Sequence, residues 1–213
     1  VGLQLEIKTK ELKTMENKNR KPIRTNVYTH NAEWMAKIKA KAIEIQSQFS
    51  GGRVGCYNHN ETKSIMAGLM SELALRNTYR DFGVQARMNM TATQPDLTIP
   101  AEDDGIPKFS NEYHEEVKSW QMFNWDRYGG TIRIEHAKKY LQKNRKRVWF
   151  CSVDVESGVV VIEGWLTPAE IVECDIITTT GKYGGENYNC EVLHRASEVF
   201  PLMEESDFGG KWW

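Results

Sequence analysis

The sequence predicts an α/β protein folded as one domain. Three observations carry this. Apolar residues recur at helical spacing over two long stretches, 31–49 and 62–81. Two strongly β-forming runs, Arg147–Val155 and Val159–Leu166, are rich in Val, Trp and Phe. Helical and strand patterns alternate through 213 residues with no internal repeat or low-complexity linker, so one domain, 25–213 with its core over about 62–166, accounts for them.

Residues 1–24 read as a flexible N-terminal arm, carrying seven basic and three acidic side chains. Within it Met15 opens a plausible start, so 1–14 reads either as native chain or as an added extension. Asn31 can cap the first helix, whose stripe is Trp34, Ile38, Ala42 and Ile45, and Ser50-Gly51-Gly52 ends it. The second helix carries Ile65, Met66, Leu69, Met70 and Leu73, and Gly83 closes it. Val84–Met90 alternates loosely as a strand, and Asp96–Ile99 is a short strand ending at Pro100. Ala101–Asn111, with three acids, Gly105 and Pro107, reads as a loop. Glu112–Ser119 then alternates as a strand, and 131–144 reads as a helix. Glu156-Ser157-Gly158 joins the two strong β runs as a hairpin. Thr167 caps a short helix with Pro168 at its first position. The tail carries weak signals.

Composition excludes several classes. Apolar runs are too short to span a bilayer, and no basic start joins an apolar stretch as in a secretory signal. Four cysteines are too few for a disulfide scaffold of this size; Cys151 in its apolar run reads as a buried thiol, and a reducing cytoplasm fits. Cys56 and His59 have the spacing of half a zinc site, with no second close pair. The net charge of −1 hides an asymmetry: 127–147 carries +7, while 148–213 carries −9. The basic stretch, with Lys138, Lys139, Lys143, Arg145, Lys146 and Arg147, is a candidate phosphate-binding face, with a solvated helix face as the other reading. Trp120, Trp125 and Tyr128 precede it and suit either nucleic-acid contact or core packing. The acidic C-terminal third argues against a protein that coats DNA indiscriminately.

Chemistry concentrates around the strand 112–119. Alternation places His114, Glu116 and Lys118 on one face and Tyr113, Glu115 and Val117 on the other. If the strand beginning at Asp96 pairs with it, Asp96 approaches Glu116. Two converging carboxylates repel unless a cation sits between them, and hard oxygen ligands suit Mg²⁺. Glu72 lies at the edge of its helix's apolar stripe, aimed toward the sheet; an ion pair with Arg76 at i+4 is the alternative.

The order helix-Glu72, Gln94-Pro95-Asp96 on a strand, Glu116-Val117-Lys118 on the next, then a helix and a strand, resembles the PD-(D/E)XK nuclease superfamily over roughly residues 62–155. The resemblance implies a restriction-endonuclease-like fold, a central mixed β-sheet flanked by helices with an αβββαβ core, and a Mg²⁺-dependent endonuclease acting on DNA. Mn²⁺ would substitute. It implies that Asp96, Glu116 and the Val117 carbonyl hold the metal, that Lys118 orients water and stabilises developing charge, and that Glu72 holds a second metal or its waters. Gln121 is similar to a Gln of some branches, and His114 could touch phosphate. Pairing into a homodimer is implied by resemblance alone. Restriction, repair, junction resolution and processing of phage or mobile-element DNA all stay open, as does DNA against RNA. Two rival readings stand beside this one: a nucleic-acid-binding module with a vestigial site, and an α/β protein-interaction domain in which Glu116 and Lys118 are surface charges.

Overall fold

The computed structural model describes residues 27–48, 62–81, 84–89, 95–103, 106–179, 185–196 and 199. The N-terminal arm, Cys56 with His59, the Gly-rich stretch 181–184 and the helix-closing glycines at 51, 52 and 83 lie outside them. The elements in chain order are β1 (Val27–Thr29), α1 (Ala32–Gln48), α2 (Thr62–Asp81), β2 (Arg87–Met88), β3 (Leu97–Asp103), β4 (Ile106–Gln121), α3 (Met122–Tyr128), β5 (Gly130–Arg133), α4 (Ile134–Gln142), β6 (Arg147–Asp154), β7 (Val159–Leu166), α5 (Pro168–Val172), β8 (Ile176–Thr179) and β9 (Gly185–Cys190). A six-stranded sheet runs β1-β7-β6-β4-β3-β2, and a second sheet runs β5-β9-β8. The large sheet is mixed: β4 and β6 are parallel, and its other neighbours are antiparallel. The predicted class, α/β with a mixed sheet flanked by helices, is what forms.

Strand β6 explains the layering. Trp149, Cys151 and Val153 point into a core built with α1 and α2, while Val148 and Phe150 point into a second core with α4, α5, Ile132 and Tyr188. A strand buried on both faces reads as the continuous apolar run seen in its sequence. Helix α2 lies between α1 and the sheet, and so buries Met66, Leu69, Met70, Ala74, Leu75 and Tyr79, a wider face than one stripe. Burying a side chain such as Leu75 or Met70 stabilises by about 1.5–3 kcal/mol. Asn31 caps α1 as predicted, its Oδ1 accepting from Trp34 N at 2.8 Å. Thr167 and Glu170 form a capping box around Pro168. In the β6–β7 turn Gly158 has φ 74°, and a Cβ there would meet the His30 carbonyl at 2.7 Å, so glycine is required on both counts.

Three expectations are corrected. The 101–111 segment is not a loop, since β3 and β4 continue pairing through Ala101↔Lys108 to Asp103↔Ile106. Backbone pairing needs no apolar side chains, and Pro100 sits where the register shifts, so its missing N–H breaks no regular ladder. Residues 130–133 form a strand instead of the first turn of a helix: Gly130–Arg133 pairs with Cys190–Asn187, and Ile132 enters the second core. The tail then supplies β8 and β9. Of Val84–Met90, only Arg87–Met88 is strand, and Met90 lies outside the described residues. No described helix is long and apolar enough to cross a membrane.

Candidate functional site: a carboxylate and lysine cluster at the start of β3

Register builds the site. Leu97 faces Glu115 and Thr98 faces His114, so continuing the ladder back by one residue sets Asp96 opposite Glu116. Facing residues of an antiparallel pair share a side of the sheet. Asp96 Oδ2 accepts from the Val117 backbone N–H at 2.7 Å. The Lys118 Nζ lies 3.6 Å from Asp96 Oδ2 and 3.8 Å from Glu116 Oε2. One ammonium therefore sits within 4 Å of both carboxylates. The N–H and C=O of an extended residue point to the same side, so the Val117 carbonyl is directed toward Asp96 as well.

Glu72 comes from α2, on the other layer. The predicted alternative, an ion pair with Arg76, does not form; the Arg76 guanidinium donates to Asn77 Oδ1 at 3.0 Å. Among the described residues Glu72 has neither a hydrogen bond nor an ion pair, and it senses the cluster through charge. Burial holds its carboxyl well above the usual carboxylate range, Asp96 and Glu116 push the same way, and Lys118 opposes them. Glu116 is likewise raised by burial and by Asp96, against Lys118 and Arg145. For Lys118 burial works to lower the pKa, but Tyr140, Asp96 and Glu116 more than offset it, and the net shift is upward. Lys118 is thus a permanent cation at neutral pH, and its side chain is 31% exposed, open to an incoming anion.

Helix α4 closes the site from below. Tyr140, buried on its inner face, lies beside Lys118, whose Nζ is 5.5 Å from its ring centroid. The helix ends at Asn144 with φ 51°, a left-handed residue that asparagine tolerates. Arg145 N donates to Tyr140 O at 3.0 Å and Asn144 N to Leu141 O at 3.1 Å, the paired bonds of a Schellman stop. That stop turns Arg145 inward, where its Nε lies 2.6 Å from Glu116 Oε1 and both residues are 7% exposed. His136, one turn before Tyr140, is half-buried, and burial together with Lys118 lowers its pKa.

The adjacent Glu115 points to the opposite face and is fully buried. It accepts from Tyr79 Oη at 2.8 Å, Arg147 at 2.7 Å and Trp149 Nε1 at 2.7 Å. Two of the predicted phosphate contacts are thereby corrected: Arg145 and Arg147 turn inward onto Glu116 and Glu115, because a buried carboxylate needs a paired cation. Lys138, Lys139, Lys143 and Lys146 are exposed. Lys146 Nζ also lies 3.7 Å from the Tyr113 ring centroid. His114 lies 3.4 Å from Thr98 Oγ1 and is not hydrogen-bonded to the cluster among the described residues. Gln121 closes β4, and strict alternation assigns it to the Val117 side. Trp120 stacks on Phe150 at 5.4 Å and contacts Trp125, so these two are core, while Tyr128 is exposed. Cys151 is the buried thiol expected, pushed up to about 12 by burial.

Sequence reasoning missed Tyr140, and it gave Arg145 the wrong partner. The available signal was His136 and Tyr140 at i and i+4 on one helix face, followed by Asn144 as a stop.

Among the described residues no three His, Cys, Asp or Glu side chains assemble as a ready-made metal cage. Arg145 occupies Glu116 Oε1 and the Val117 N–H occupies Asp96 Oδ2, which leaves Asp96 Oδ1 and Glu116 Oε2 without a hydrogen bond among the described residues. Counting Glu72, Asp96 and Glu116 against Lys118 and Arg145, the cluster keeps one surplus negative charge when all are ionised. A set of so few oxygens falls short of a metal cage, and a hard ion held there would keep several waters.

No protein-family model matches the chain, and no curated protein or solved structure is found to match it.

Proposed function

We propose that the chain is a Mg²⁺-dependent nuclease of the PD-(D/E)XK type with a restriction-endonuclease-like core, hydrolysing phosphodiester bonds in DNA as an endonuclease. One observation carries the reading: Asp96, Glu116 and Lys118 converge on one point at the parting of β3 and β4, with Lys118 Nζ within 4 Å of both carboxylates. The order in which α2, β3, β4, α4 and β6 bring in Glu72, Asp96, Glu116-Val117-Lys118 and the parallel crossover supports it further.

Asp96, Glu116 and the Val117 carbonyl would hold the ion, with Glu72 ordering its water shell. Bound there, Mg²⁺ supplies neutralisation of the phosphate and acidification of a water. Lys118, kept protonated by its neighbours, orients the attacking water by hydrogen bonding and stabilises the charge that grows on the phosphoryl oxygens. Arg145 leaves Glu116 one oxygen for the ion, and Tyr140 packs beside the Lys118 ammonium. Lys138, Lys139, Lys143 and Lys146 offer exposed cations for the DNA backbone, and a homodimer would present two such sites to two strands.

A second reading, a nucleic-acid-binding module whose site no longer takes a metal, is favoured by the Arg145–Glu116 ion pair and the absence of a three-residue cage among the described residues. Incubation of supercoiled plasmid with and without Mg²⁺ decides. Nicked circles that appear only with Mg²⁺, and vanish in Glu116→Gln, support the nuclease; intact plasmid at saturating protein and metal refutes it.

A further inference from the structure

A groove of about 590 Å³ runs between α1, α2 and the edge strand β2, outside the carboxylate cluster. That volume lies within the range of small-ligand sites. Trp34, Leu73 and Met88 give it apolar walls, Lys41, Arg76 and Arg87 rim it, and none of its lining residues is acidic. Trp34 is 37% exposed, with the Lys37 ammonium 5.1 Å from its ring centroid. Arg76 has no carboxylate partner among the described residues, only Asn77, and its charge lies near that of Arg80. Lys41 and Arg87 pair with Glu44 and Glu112 in partly exposed contacts that exchange readily for a phosphate.

The groove neighbours the candidate site along the chain, from the face of the sheet that Leu97 and Glu115 share. Leu73 follows Glu72, and Arg76 lies one helical turn beyond it. Met88 pairs with Leu97, the residue after Asp96, and Asn89 N donates to the Asp96 carbonyl at 3.1 Å. An aromatic ring and apolar walls ringed by cations match a flat base carried on an anionic backbone. A duplex keeps its bases stacked inside and would leave those walls wet.

We propose that this groove binds a single-stranded segment of the nucleic-acid substrate, with one base against Trp34 and the flanking phosphates against Lys41, Arg76 and Arg87. Calling that segment substrate rests on the nuclease reading; binding itself does not.

The test titrates the full chain in EDTA with fluorescein-labelled single-stranded DNA, single-stranded RNA and blunt duplex DNA, following anisotropy. Single strands bind more tightly than duplex, Trp34→Ala weakens single-strand binding by about fivefold or more, the low end for base stacking on an aromatic ring, and Arg76→Gln weakens it as well. Lys63→Ala, a charge change at the other end of α2, leaves it unchanged, and thermal melting confirms that each variant folds. Equal affinity for duplex, or full affinity in both groove variants, overturns the inference. So does a poly-glutamate peptide that competes equally well, since charge alone would then explain binding. Groove-dependent binding without cleavage by the wild-type chain sinks the nuclease reading alone. Cleavage with groove-independent binding sinks this inference alone.

Discussion

Replacing Arg145 with Ala tests the site without assuming any activity. The Glu116 side chain is 10% exposed and that of Arg145 5%, so the substitution strands a carboxylate in a place water barely reaches. Removing one partner of such a pair costs roughly 3–5 kcal/mol. Glu116 keeps Lys118 at 3.8 Å, which argues for the lower part of that range, about 3–4 kcal/mol. For a chain of this size each kcal/mol lowers Tm by about 2–4 °C, so a loss of roughly 6–16 °C is expected. The pH dependence has a definite sign. The folded-state pKa of Glu116 is already above its ordinary value, from burial and Asp96, and loss of Arg145 raises it further. A carboxyl raised in the folded state favours folding below that pKa and loses the contribution as pH rises through it. The penalty of Arg145→Ala is therefore largest at neutral pH and shrinks on acidification. Urea unfolding of wild type, Arg145→Ala, Glu116→Gln and the double variant at several pH values completes the cycle. The double variant should recover much of the loss. A penalty below about 0.5 kcal/mol, or one that does not change with pH, would refute the reasoning, because a surface pair behaves in that way.

Lys118→Ala should slow plasmid nicking by about 10²–10³ with little change in DNA affinity, whereas a wild-type rate would move the chemistry elsewhere. Ala at Lys138, Lys139 and Lys143 should flatten the salt dependence of duplex binding by about 0.9 in log–log slope per lost phosphate contact, and an unchanged slope makes this a solvated face. Arg147→Ala should instead destabilise the fold by about 3–5 kcal/mol, read by urea titration, because Glu115 is fully buried and keeps only Tyr79 and Trp149. Glu72→Gln should raise Tm above neutral pH while reducing cleavage. The Glu72 carboxyl is raised by burial and by Asp96, so its ionisation costs stability as pH rises, and the gain should fade in acid.

What was legible in the sequence was whatever a short periodic pattern encodes. Alternation alone put Glu116 and Lys118 on one side of β4, and the helix pattern aimed Glu72 inward. The meeting of Asp96 with Glu116 depended on a pairing the residues only permitted, and the register Leu97↔Glu115 supplies it. Charge counting failed at Arg145 and Arg147 because a tally sees eight basic residues but not the left-handed Asn144 that redirects the chain. The second sheet was invisible for another reason. Gly130–Arg133 is too short to declare itself, and its partner Gly185–Cys190 lies some fifty residues away. The hairpin beyond Ile99 continues on backbone bonds, which leave little trace in composition.

Consecutive glutamates clamped from opposite faces have a consequence for how the crossover finds its place. Most of β6 is apolar on both sides, so greasy contact alone would accept a neighbouring alignment against β4 almost as readily. The turn after α4 removes that freedom. It sends Arg145 to Glu116 on one face and Arg147 to Glu115 on the other, and Lys146 N ties to the His114 carbonyl at 2.8 Å between them. A slip by one rung would part both arginines from their carboxylates at once and leave two charges stranded in the interior. The segment 144–147 thus acts as a vernier, reading the position of β6 against β4 from both sides of the sheet.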